Sequence, residues 1–167
     1  AKKSSRKFYV TARGAVFIDN SNGKKLFSKN ADKRILPAST TKVMTALLVL
    51  EKLPLNGYVT VSQRATGMQP SKLNLRAGEQ YKVKDLLYGL LLNSANDASV
   101  VLAEAVAGSE WQFVQMMNQR ARRLGAKNTN FANSNGLPSK TSQYSTAYDM
   151  YLIFREEDWV NAGVVFV

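Results

Sequence analysis

Histidine and cysteine are both absent from the 167 residues. Without histidine there can be no Ser-His-Asp triad. Without cysteine there is no thiol nucleophile and no disulfide framework. Losing both also removes any zinc site built from them. A nucleophilic enzyme made from this chain must therefore take its base from a lysine, a carboxylate, a tyrosine or a water. Long apolar runs are missing too. The longest are Ala46 to Leu50 and Leu86 to Leu92, against the roughly 20 residues that a membrane span needs. The N-terminus has no apolar signal core, so an exported protein would be met here in mature or trimmed form. Acidic residues are scarce, 12 against 23 Lys and Arg, which leaves a formal charge of +11. That field attracts anionic partners, although a solvated basic surface accounts for it equally well. The basic residues are dispersed apart from Lys2-Lys3, Arg6-Lys7 and Arg120 to Arg123. No nucleic-acid motif frames them, so nucleic acid is not an expected partner.

What is present is the composition of a globular chain, 45% hydrophobic and 21% charged, at the size of one domain. The expected domain spans 1–167, with 1–7 a flexible basic tail. Residues 8–19 alternate loosely and predict a strand. Asn20-Ser21-Asn22-Gly23 predicts a hairpin turn, and residues 25–28 the return strand. Pro37 and Ser39 announce a helix that runs to about Lys52. Tyr58 to Ser62 predicts a short strand, and residues 63–82 read as irregular. Helices follow over Val83 to Leu92, from Asn96 or Asp97 to Gly108, and from a Ser109 capping box to Gly125. Residues 126–144 read as loop, Ser145 opens a last helix to about Glu157, and Val160 to Val167 is β-like. Strands, a helical block and one strand point to segregated helices and an antiparallel sheet, an α+β arrangement. Met116, Met117, Trp111 and Phe113 are expected to be helix packing. Tyr144, Tyr148 and Tyr151 are expected in the core or at its rim, and Asp149 as an early-helix carboxylate on the dipole.

With the usual bases gone, serine paired with lysine is the arrangement to seek. Ser-x-x-Lys occurs at Ser4–Lys7, Ser21–Lys24 and Ser39–Lys42. Only Ser39 opens an apolar helix. Residues three apart share a helix face, so the Lys42 amine can reach the Ser39 hydroxyl. The free N–H groups of a helix N-terminus favour a developing oxyanion. Burial among Val43 and Ala46 would lower the lysine pKa and make it a base. The alternative is an N-cap serine with a solvated lysine. A second element, Ser94-Ala95-Asn96, lies between two apolar helices. There Ser94 could relay a proton, and Asn96 could hold Lys42 or a substrate amide, or the pair could be an ordinary cap. Ser28-Lys29-Asn30 matches the same Ser-x-Asn pattern, so the two elements in this order carry more than either alone. Glu104 and Glu110, in helices, have no evident approach to Ser39.

The stretches Ile35 to Ala46, Asp85 to Ala98, Asn135-Gly136-Leu137-Pro138 and Tyr144 to Asp149 resemble the serine D-alanyl-D-alanine carboxypeptidases, which are low-molecular-mass penicillin-binding proteins. The strand Gly14 to Asp19 with its return strand fits the same pattern, and the resemblance covers residues 8–156. It implies the penicillin-binding-protein/β-lactamase-like transpeptidase fold, with an antiparallel sheet and a helical lobe. It implies Ser39 as the acylated nucleophile, Lys42 as its general base, and Ser94 and Asn96 as the motif flanking the cleft. The implied substrate is a peptidoglycan stem peptide ending in D-Ala-D-Ala, and β-lactam antibiotics would acylate the same serine. No metal or cofactor is implied. Family members act on the wall outside the cytoplasmic membrane, so export to the periplasm or the outer membrane face is expected. Any membrane association would lie outside this chain.

One departure stands out. The family's third motif, Lys-Thr-Gly, does not occur in the 167 residues. Lys140-Thr141-Ser142 falls in a variable loop and is not its substitute. The family domain is also longer, so the expectation is that part of the sheet is missing from this sequence. A nearby alternative is an endopeptidase or a β-lactamase-like hydrolase, although no dedicated deacylating glutamate is evident. The rival from a different class is a non-catalytic wall-binding or penicillin-binding relative, without turnover.

Overall fold

The computed structural model describes residues 9–156. Strands β1 (Ala15–Asp19) and β2 (Lys24–Lys29) form an antiparallel hairpin in register Ala15↔Lys29 to Asp19↔Lys24, with an irregularity between Phe17 and Ile18. The Asp19 carboxylate accepts from Ser21 N at 3.0 Å and Ser21 Oγ at 2.6 Å, which closes the expected Asn-Ser-Asn-Gly turn. A 3-10 turn, Ala38–Thr40, leads into α1 (Thr41–Lys52). Every residue of α1 from Thr41 to Val49 is buried. Its apolar residues Val43, Met44 and Ala46 to Val49 cover every face of the helix, which places it at the centre of the core.

Next come β3 (Tyr58–Thr60), the short α2 (Gln63–Thr66) and β4 (Gln80–Lys82), with β3 and β4 paired antiparallel. The segment 63–82, read as irregular from sequence, thus holds one helical turn and one strand. Three- and four-residue elements are too short to show a period. Then follow α3 (Val83–Leu92), α4 (Asn96–Ala107), α5 (Glu110–Arg123) and α6 (Ala147–Phe154). Ser109 caps α5 by accepting from Gln112 N at 3.2 Å. Thr146, one residue beyond the expected Ser145, caps α6 by accepting from Asp149 N at 3.0 Å.

Helix α4 packs against α1, α3, α5 and α2, while α6 lies against β1. Met44, Leu47, Leu86, Leu90, Leu102, Phe113, Met117 and Ile153 are among the fully buried side chains of this core. Trp111 departs from its expected packing role, since 71% of it is exposed on the outer face of α5. The described strands form two separate two-stranded sheets. The expected basic tail and the β-like segment 160–167 lie outside the described residues. Among those described, no helix is long and apolar enough to cross a membrane.

Candidate active site

The site begins at the junction of the 3-10 turn and α1. Ala38 adopts φ +47°, a left-handed conformation that costs a residue with a side chain energy. That bend presents Ser39 at the surface while Lys42, one helical turn on, is 3% exposed. The N-cap positions are Pro37 for the 3-10 turn and Thr40 for α1, neither with a side-chain capping bond, so Ser39 is not the N-cap of either. The Ser39 Oγ lies 3.5 Å from Lys42 Nζ, at the outer limit of a hydrogen bond. The upstream segment is fixed by the bridge between Ile35 and Ser145, whose N–H groups each donate to the other's carbonyl at 2.9 Å.

The Lys42 ammonium donates to Asn96 Oδ1 and to the Asn135 carbonyl, both at 2.8 Å. Burial lowers its pKa from 10.5 to about 8. The charged form loses hydration that two neutral acceptors only partly replace. The Asn96 amide is oriented in turn, because its Nδ2 donates to the carbonyls of Gln69 at 2.9 Å and Pro70 at 3.2 Å. With its nitrogen so engaged, its oxygen must face the lysine.

Asn96 opens α4, just past a left-handed Ser94 with φ +54°. Ser94 lines the same cleft as Ser39 and Asn96 but makes no hydrogen bond to either Ser39 or Lys42 among the described residues. The cleft, about 320 Å³, is completed by Pro70, Ser71 and residues 135–138. Asp97, next to Asn96 in α4, ties the segment 73–75 to this helix start. Its carboxylate accepts from the N–H groups of Leu73 at 3.0 Å, Leu75 at 3.2 Å and Ala98 at 2.9 Å.

The sequence reading missed Asn135 as a contact of the lysine. The segment 126–144 reads as loop, and it does lack named elements, yet Ser134 and Asn135 are 0% and 2% exposed. A backbone carbonyl leaves no residue-type signature. The available signal was Asn135-Gly136, since Gly136 takes φ +85° and marks a required sharp turn. The chemistry open to this arrangement is attack by an exposed hydroxyl, with a buried amine poised to take its proton.

A family model described as D-alanyl-D-alanine carboxypeptidase matches residues 1–158. The chain belongs to the D-alanyl-D-alanine carboxypeptidase family. It is 43% identical over 150 residues to the D-alanyl-D-alanine carboxypeptidase DacF of Bacillus subtilis, covering 87% of this chain and 38% of that protein. It is 40% identical over 155 residues to DacC of Escherichia coli, covering 86% and 38%. The crystal structure of the carboxypeptidase DacD from Francisella tularensis superposes with a TM-score of 0.86 at 36% identity, covering 90% of this chain and 37% of that one. The α+β arrangement is thus the fold of the penicillin-binding D-alanyl-D-alanine carboxypeptidases. The chain spans about two fifths of the length of the curated relatives it matches.

Proposed function

We propose that Ser39 and Lys42 are the acylation machinery of a serine D-alanyl-D-alanine carboxypeptidase acting on peptidoglycan stem peptides. The observation that carries the reading is a buried, pKa-lowered Lys42 amine 3.5 Å from the exposed Ser39 hydroxyl. In this reading Ser39 Oγ bonds to the carbonyl carbon between the two terminal D-alanines while neutral Lys42 takes the hydroxyl proton. The C–N bond then breaks, the proton passes to the departing D-alanine amine, and water hydrolyses the ester. Asn96 holds the lysine in place, and Ser94 faces the cleft where it can relay the proton. A penicillin would be opened by the same attack, leaving its acyl group on Ser39. The site of action would be the wall, reached by export to the periplasm or the outer face of the cytoplasmic membrane.

A second reading is a penicillin-binding relative without turnover. Intact-protein mass spectrometry with benzylpenicillin tests the first step. The expected result is one covalent adduct that disappears in Ser39→Ala, and a chain that takes up no adduct overturns the reading. Release of D-alanine from a D-Ala-D-Ala peptide then separates turnover from binding alone.

A further inference from the structure

We propose that Glu110 is a positioning residue for the Lys42 base, acting through the buried turn 134–136; the proposal rests on the acylation reading above. Glu110 opens α5, does not line the cleft around Ser39, and is only 6% exposed. Its Oε1 accepts from both Ser134 N at 3.0 Å and Ser134 Oγ at 2.7 Å. Its Oε2 is taken by the Arg64 guanidinium of α2. Carboxylates held by several donors are fixed in place more firmly than neutral acceptors.

Ser134 is itself fully buried, and its carbonyl accepts from Thr45 Oγ1 of α1 at 2.6 Å and from Ser99 Oγ of α4 at 2.7 Å. The peptide unit of Ser134 is therefore bound on every side, by α1, α4 and α5 together. The next carbonyl, that of Asn135, is the one that receives the Lys42 ammonium. One residue further, Gly136 lies so close to Ala38 that a Cβ built there would fall 1.8 Å from the Ala38 carbonyl oxygen. Thus the turn that Glu110 anchors touches both the base and the bend that presents Ser39. Residues 131–136 contain no regular backbone pairing, so side chains hold them: Asn133 Oδ1 accepts from Gly136 N at 2.7 Å, Gln143 Oε1 from Ala132 N at 3.1 Å, and Glu110 secures Ser134.

The chain of contacts has a directional consequence. The Asn135 carbonyl stabilises the charged form of Lys42. If the turn loosens, the amine loses an acceptor and a point of aim at once. Its pKa should fall further, and the neutral amine should be worse placed for Ser39. A lower pKa alone would raise the rate below the midpoint and leave the high-pH plateau unchanged. A loss of aim persists on the plateau, where misplacement by a fraction of an ångström is costly.

The test compares the full chain with Glu110→Gln, Glu110→Ala and the neighbouring Trp111→Ala, whose exposed side chain shares the same helical turn. Two readouts are taken. One is the titration of Lys42 by NMR of ¹³C-labelled lysine, which needs no turnover. The other is the rate of acylation by a fluorescent penicillin across pH. Circular dichroism confirms the fold, and Glu110→Gln, equal in size, serves if Glu110→Ala does not fold. The expected result is a lower Lys42 pKa in Glu110→Gln, and a plateau acylation rate reduced about tenfold or more, with Trp111→Ala unchanged. A folded Glu110→Gln protein whose Lys42 titrates as in the parent overturns the positioning role, as does a parent-like plateau. Failure of the parent to form any adduct would instead remove the acylation reading, and the lysine titration would still decide whether Glu110 governs Lys42.

Discussion

In the proposed acylation the chemistry turns on Lys42, an ammonium 3% exposed and held by neutral oxygens. With a pKa of about 8, about a tenth of the side chain is neutral at pH 7 and most of it above pH 9. Acylation of Ser39 should therefore rise about tenfold per pH unit up to the midpoint and level off beyond it. The midpoint is set by surroundings that can be changed at one atom. Asn96→Asp would put an anion where Oδ1 now lies 2.8 Å from Nζ. Opposite charge favours the ammonium, so the midpoint should move alkaline by about one unit or more. Stopped-flow acylation by a fluorescent penicillin reads both effects, and an unmoved midpoint in Asn96→Asp would mean that another group governs the profile. That Ser39, Lys42, Ser94 and Asn96 come together could be anticipated from sequence, because each stands at or one turn from a helix start. The lysine's other acceptor could not be, because it is the carbonyl of Asn135, an atom that every residue type possesses. Glu110 was visible as a helix-opening carboxylate, but its reach to Ser134 depends on how α5 meets the turn.

At the scale of elements, the site is two left-handed bends fitted to two helix starts. The bend at Ala38 needs the turn at Gly136, since their backbones touch with no room for a side chain. Gly136→Ala must displace one of them, and it adds the strain of φ +85°. Gly78 takes nearly the same angle, φ +83°, but has nothing within 4 Å of where a Cβ would stand. Gly78→Ala should therefore cost only the conformational penalty, about 1–2 kcal/mol, and leave acylation intact. Gly136→Ala should cost more than that and slow acylation as well. Thermal unfolding and adduct formation measured on the pair check this, and equal behaviour of the two would show that the contact with Ala38 is not needed. Element by element, the long helices α1, α3, α4 and α5 were legible because their apolar spacing or their caps are written over ten or more residues. The hairpin was legible from Asn20-Ser21-Asn22-Gly23. What was lost was short or irregular: α2, β4 and the burial of Phe131, Ser134 and Asn135. The exposure of Trp111 was missed for the opposite reason, since a large aromatic in a helix reads as core and only tertiary packing decides which face it takes.

Across the described part of the molecule, burial is uneven, and the site sits on its most buried portion. Helices α1 and α4 supply Lys42 and Asn96, and both are enclosed over most of their length. The β1–β2 hairpin stands apart from that core, touching α6 on one side. It leaves Phe17 60% and Leu26 54% exposed. A two-stranded hairpin contributes little stability by itself, and a segment with few buried apolar contacts can open without the rest. Hydrogen exchange should divide the chain accordingly. Amides of α1 and α4 should exchange only through global unfolding, with free energies that fall in parallel as denaturant is added. Amides of β1 and β2 should exchange through a smaller local opening that denaturant hardly changes. Were the hairpin amides as slow as those of α4, with the same denaturant dependence, the hairpin would belong to the cooperative core. The acylation geometry would then depend on it too. The expected division means that Ser39, Lys42 and Asn96 keep their arrangement while the hairpin opens and closes, because the groups that fix them, Ser134, Thr45, Ser99 and Glu110, all lie within or against the helical core.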